Sequence, residues 1–212
     1  MSLVELIAQA DERSLAASGL ACLDRCVPLL GGDDEILRPL WASLAESGAG
    51  SESGSGSGTG SGSAEGGPDW GECVEQARAK LYVPGTPGAD ASAEGEAVTL
   101  AHRMLGAAPA ERTAENLREW ADACSVAALQ IHRLLDATAG AGSEGASSVT
   151  ARREGRTQDM SPLVAAELRR QVAILELLSA HGPAGLRQAR ELSTEGRRVL
   201  RAVVSRRARG RA

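Results

Sequence analysis

Three kinds of residue in this chain carry usable chemistry: four cysteines, three histidines and a run of C-terminal arginines. Cys22 and Cys26 lie four apart, so a helix would place both thiols on one face, where they can approach one metal ion. The spacing is not C-x-x-C, Pro28 follows at once, and two more ligands would have to come from far along the chain. With Cys73 and Cys124 they read instead as small buried hydrophobes. His102, His132 and His181 are scattered, and none closes a Glu-x-x-His pair or an H-E-x-x-H motif. Cys124 and His132 share a helix but are separated by about 12 Å of rise, too far for one ion.

Acidic and glycine-rich segments offer no better constellation. Asp33-Asp34-Glu35 is followed by Ile36 and Leu37, so the further carboxylate that a diphosphate–metal motif needs one turn on is missing. Helix-start electrostatics accounts for the three acids. Glu111, Glu115, Glu119 and Asp122, interleaved with Arg112 and Arg118, read as a solvated helix face. Glycines alternate on even positions from Gly54 to Gly62, so neither G-x-G-x-x-G nor a nucleophile elbow fits, and no strand or Gly-Lys-Ser/Thr accompanies them. No catalytic residue, metal site or cofactor is expected, and the chain reads as non-enzymatic.

The arginines are the one feature with a mechanism behind it. Residues 1–150 hold 9 basic and 22 acidic side chains, residues 151–212 hold 14 and 6, so net −13 is set against net +8. Arg197, Arg198, Arg201, Arg206, Arg207, Arg209 and Arg211 fall in the last stretch with no acid among them. They are the candidate anion- or nucleic-acid-binding residues. Leu186–Leu192, a turn at Ser193-Thr194-Glu195-Gly196, and Arg197–Arg207 can be read as helix-turn-helix, although the same stretch can also run through as one helix. An anionic membrane surface or an acidic protein would meet the same charge. A plain solvated helix end is the alternative to all of these.

These residues must be held by helices. Apolar residues recur at three- and four-residue steps over 3–30, 36–44, 70–81, 94–106, 113–139, 162–180 and 184–208, and no β-alternation is sustained. The fold class expected is all-α, a bundle of about six to seven helices with Gly/Ser-rich insertions. Its parts are an N-terminal helical hairpin (1–47), a flexible linker (48–67), central helices (68–139), a flexible polar segment (140–160) and basic C-terminal helices (161–212). Thr113 and Ser161-Pro162 signal helix starts. The helix carrying Cys124 is expected at the centre, and Leu23, Val27, Trp41, Leu117, Trp120, Ile131, Leu134, Val172 and Leu175 are expected inside.

Composition narrows the function classes. The chain has no Phe, three Trp and one Tyr, too few rings for recognition of nucleobases by stacking. Its 22 arginines against one lysine, with abundant Ala and Gly, have the look of a GC-rich bacterial coding sequence. The N-terminus has no basic n-region, no apolar run approaches a membrane span, and the four cysteines suit a reducing cytoplasm. The expectation is a cytoplasmic, non-catalytic helical protein that binds another protein as regulator or adaptor. The alternatives are a nucleic-acid-associated regulator using the C-terminal arginines, and an enzyme whose site lies in the bundle core.

Overall fold

The computed structural model describes residues 1–33, 35–46, 68–81, 92–136, 146–158 and 160–210. The linker 48–67, Tyr82 and Arg211 lie outside them. Nine α-helices and two short 3-10 turns make up the described residues, with no strand among them, so the chain is all-α. The helices are α1 (Leu3–Gln9), α2 (Glu12–Cys26), α3 (Arg38–Glu46), α4 (Trp70–Leu81), α5 (Ala93–Gly106), α6 (Ala114–Leu135), α7 (Ala146–Arg153), α8 (Pro162–His181) and α9 (Leu186–Arg209). Their buried apolar side chains form one contiguous cluster.

Local chemistry sets most of the boundaries. Residues 3–30 are not one helix: Asp11 caps α2 by accepting from the Ser14 amide at 2.7 Å, and the chain turns at Ala10. Ser2 and Glu5 form a capping box on α1. Thr113 caps α6 as expected, accepting from the Asn116 amide at 3.3 Å. Asp33 accepts from the Glu35 amide in a local turn, and α3 begins only at Arg38, with Pro39 in its first turn. Gly182 adopts φ +51°, which ends α8 and admits the 3-10 turn before α9. Within the segment expected to be flexible and polar, residues 146–153 form α7, and Val149 and Arg153 are buried.

The most completely enclosed helix is α2, which packs along α6, the helix that carries Cys124. Every residue of α2 from Ser14 to Cys26 is buried, the pattern of a helix surrounded on all sides. Trp120 of α6 lies against Gly19, where an added Cβ would come within 2.6 Å of the indole ring. Gly19 therefore lets α2 and α6 approach closely. Trp120 donates its indole N–H to the Met104 carbonyl at 2.9 Å and meets Trp70 edge to face with centroids 6.0 Å apart.

Of the expected core residues, Leu23, Val27, Trp41, Leu117, Trp120, Ile131 and Leu175 are buried. Leu134 and Val172 are only partly so. The α8 case has a plain reason. Its inward face runs Val164, Glu167, Leu168, Gln171, Ile174, Leu175 and Leu178, so two polar residues occupy core positions and Val172 is rotated off.

Candidate interaction surface

The polar residues that face inward join into a network that spans four helices, α2, α6, α7 and α8. Arg25 of α2 grips Glu167 of α8 bidentately, with Nε donating to Oε2 at 2.8 Å and Nη2 to Oε1 at 2.6 Å. Both side chains are 0% exposed. The Gln171 amide donates to Glu167 Oε1 at 2.8 Å, and the Ser125 hydroxyl of α6 donates to Gln171 Oε1 at 2.7 Å. Arg153 Nε donates to the Ser125 hydroxyl oxygen at 3.1 Å, and the other side of its guanidinium pairs with the half-exposed Asp122. A hydrogen-bonded chain thus runs from the surface to the middle of the molecule. It ends on Arg25, whose Nη2 reaches Cys22 Sγ at 3.4 Å and whose Nη1 has no hydrogen-bond partner among the described residues.

A second cluster lies one residue away on α2. Asp24 pairs with Arg197 of α9, Nη1 to Oδ1 at 2.5 Å, and the Ser193 hydroxyl lies 2.7 Å from Oδ2. These contacts fix the register of α9 on α2. Gly196 allows the approach, because an added Cβ would stand 2.4 Å from Arg25 Cδ. Gly196 is therefore the point of closest packing in an unbroken helix, and the helix-turn-helix reading is corrected: α9 runs continuously from Leu186 to Arg209 through the expected turn.

Burial and neighbours set the protonation of this core. Burial, the largest single influence, works against charge on Arg25 and on Glu167, yet their mutual attraction and hydrogen bonds, with His132 and Gln171 adding to Glu167, together hold the guanidinium above its ordinary value and the carboxyl below. His132 of α6 donates Nδ1–H to the Ala128 carbonyl at 2.7 Å, which leaves Nε2 3.5 Å from Glu167 Oε2. Burial depresses its pKa more than Glu167 raises it, so the ring is neutral. Burial also raises Asp24 against the pull of Arg197 and Ser193.

The thiols fare likewise. Burial pushes Cys22 up to about 12 and lifts Cys26 and Cys124 well above their ordinary value. Cys22 and Cys26, the pair considered for metal, are buried beside Arg25 as protonated thiols. Among the described residues no group of three or more His, Cys, Asp or Glu side chains is placed to hold a metal ion.

The arginines singled out from the sequence divide by helical phase. Arg197 is 6% exposed and spent on Asp24, so it offers nothing to an outside anion. Arg198, Arg201, Arg206 and Arg209 are exposed. Arg207 is half-buried and donates Nη1 to the Leu135 carbonyl at 3.1 Å, satisfying the C-terminal end of α6.

Beside these residues runs an open groove of about 410 Å³, which periodicity alone did not reveal. Leu135 and Asp136 from the end of α6, Pro162, Leu163 and Ala166 from the start of α8, and Val199, Val203, Arg206 and Arg207 from α9 line it. Its walls are mostly apolar. Arg206 and the first turn of α8 both border it, and Ser161 makes no side-chain capping bond there. That helix end carries partial positive charge. Among the described residues Asp136 is the one acidic residue of the lining.

No family model, no curated protein and no solved structure matches this chain. No described helix is long and apolar enough to cross a membrane.

Proposed function

We propose that this chain is a non-catalytic helical protein, a regulator or adaptor of the cytoplasm, that binds another protein through the C-terminal half of α9. The observation that carries the reading is the pairing of exposed Arg198, Arg206 and Arg209 with an apolar groove along the same helix. A protein surface supplies both carboxylates and apolar side chains, whereas a nucleic-acid backbone supplies only the anions. Trp41, Trp70 and Trp120 are all buried, so no described ring is available to stack on a base. Glu167 and His132 do converge, as a core enzyme would require, but Arg25, Gln171 and Ala128 engage them and both are buried. That favours a structural role for the pair. The four free, buried cysteines suit the reducing compartment.

The test compares the full chain with an Arg198→Gln/Arg206→Gln/Arg209→Gln variant. The probes are a fluorescent polyglutamate peptide, mixed-sequence duplex DNA and vesicles containing phosphatidylserine, each from roughly 50 to 200 mM salt. The reading expects peptide binding that the triple variant loses, with DNA and vesicles bound more weakly. Tight, steeply salt-dependent DNA binding lost in the variant would replace it with the nucleic-acid reading. Binding of none of the three would leave the arginines as a solvated helix end and overturn it.

A further inference from the structure

We propose that the groove between the start of α8 and the end of α9 is the seat of one acidic amphipathic helix of a partner protein. This rests on the protein-binding reading above and names the partner's chemistry. Length is the first argument. Along α9 the lining runs from Val199 to Arg207, eight residues or about 12 Å of rise. That is long enough to seat the two turns of a second helix whose apolar row at i, i+3 or i+4, and i+7 is what helix-in-groove docking inserts.

Charge is the second argument, and it fixes the sign of the partner. An amphipathic helix in this groove places its flanking residues on the two rims. The lining includes the exposed Arg206, with Arg209 one turn beyond, and the first turn of α8, where Ser161 makes no side-chain capping bond. Both favour carboxylates. The framework beneath is fixed by the Asp24–Arg197 and Arg25–Glu167 pairs, so the groove is largely preformed.

The experiment uses the full chain and three synthetic 18-residue peptides in fluorescence anisotropy. The first has leucines at i, i+3, i+4 and i+7 flanked by glutamates, the second scrambles the same composition, and the third keeps the leucines but replaces glutamate by lysine. The amphipathic acidic peptide should bind at least tenfold more tightly than either control. Val203→Asp and Arg206→Glu should each weaken it about tenfold or more. Arg206 is exposed, so that variant keeps the test valid if Val203→Asp fails to fold.

Equal binding of the acidic peptide and its scramble, with only Arg206→Glu weakening both, would overturn the helix-in-groove inference while leaving a basic protein-binding face. Equal binding of the lysine peptide would overturn the acidic assignment. A concentration-dependent dimer in sedimentation velocity, abolished by Arg206→Glu, would give the groove to a second copy instead. Binding of no peptide, together with failure of the polyglutamate probe, would remove both readings.

Discussion

Two sets of arginines in this molecule have opposite surroundings. Arg25, Arg153 and Arg197 lie within the bundle, each against a carboxylate. Arg198, Arg206 and Arg209 stand in solvent at the end of α9. Arg197 and Arg198 are adjacent in sequence, and a 100° step around the helix separates an interior ion pair from an exposed cation. At that pair residue type and local density are the same, so it is helical phase that divides the structural arginine from the one available to a partner. The interior set also costs more to disturb. A buried charge that loses its partner stays desolvated, whereas an exposed one returns to water.

The largest effect should therefore come from Glu167. Glu167→Ala leaves the Arg25 cation fully buried and unpaired, and should destabilise the fold by about 3–5 kcal/mol in chemical denaturation. The paired replacement Arg25→Met/Glu167→Leu should recover most of that loss, since it removes both charges and keeps apolar volume. A double variant as weak as the single one would show that the pair holds the fold through something other than charge compensation.

Gly196 gives the next effect, and its sign is the test. In an exposed helix, Gly→Ala gains about 1 kcal/mol of helix propensity. Here the added methyl meets Arg25 Cδ at 2.4 Å, and that side chain is held at its far end by two hydrogen bonds to Glu167. Gly196→Ala should destabilise by about 1–2 kcal/mol, in the range for overpacked cores. A stabilised variant would mean that α9 is not pressed against Arg25 at this point.

Much of the fold was legible in the sequence, because it rests on local signals. Three- and four-residue apolar spacing gave the all-α class, and Thr113 and Pro162 marked true helix starts. The four cysteines are buried, as a small-hydrophobe reading requires. The core network was not legible. Arg25 and Glu167 are 142 positions apart, and no local pattern says that two charged residues on separate helices will meet. A trace was present all the same: Glu167 and Gln171 sit one turn apart on the apolar phase set by Val164, Leu168 and Leu175. Val172, expected inside, lies off that phase. Asp24 likewise falls on the apolar phase of Leu20, Leu23 and Val27, whereas Arg25 lies off it, where a helix buried on one side only would face solvent. The groove escaped notice for a similar reason, since it is formed where the ends of three helices meet.

Acid should also separate the two sets. The folded chain holds His132 below its ordinary 6.5, with burial as the main cause, Glu167 opposing and Arg25 and Arg170 assisting. The unfolded chain therefore takes up the proton first. Stability is full above the ordinary histidine value and declines as pH falls below it, towards the depressed folded value. Glu167, also depressed in the fold, adds a second loss below its ordinary 4.5, while the raised Asp24 partly offsets it. Melting temperature measured from pH 7.5 to 5.5 should fall, and His132→Gln should flatten that slope. An unchanged slope in the variant would assign the pH dependence to groups outside this core.

The smallest expected effect on stability is at Arg198, and it sharpens the comparison most. Arg198→Gln removes an exposed charge and should leave the denaturation midpoint within about 0.5 kcal/mol of the parent. Arg197→Gln, one position earlier, strands Asp24 in the core and should cost several times as much. Binding should rank the two the other way. Arg198→Gln should weaken capture of the acidic peptide and reduce its salt dependence, because one screened cation is gone from the face. Arg197→Gln, measured where it is still folded, should bind as the parent does, since its guanidinium never reached the partner. If both variants lost binding equally, the exposed face and the ionic core would be one energetic unit, and helical phase would no longer separate their roles.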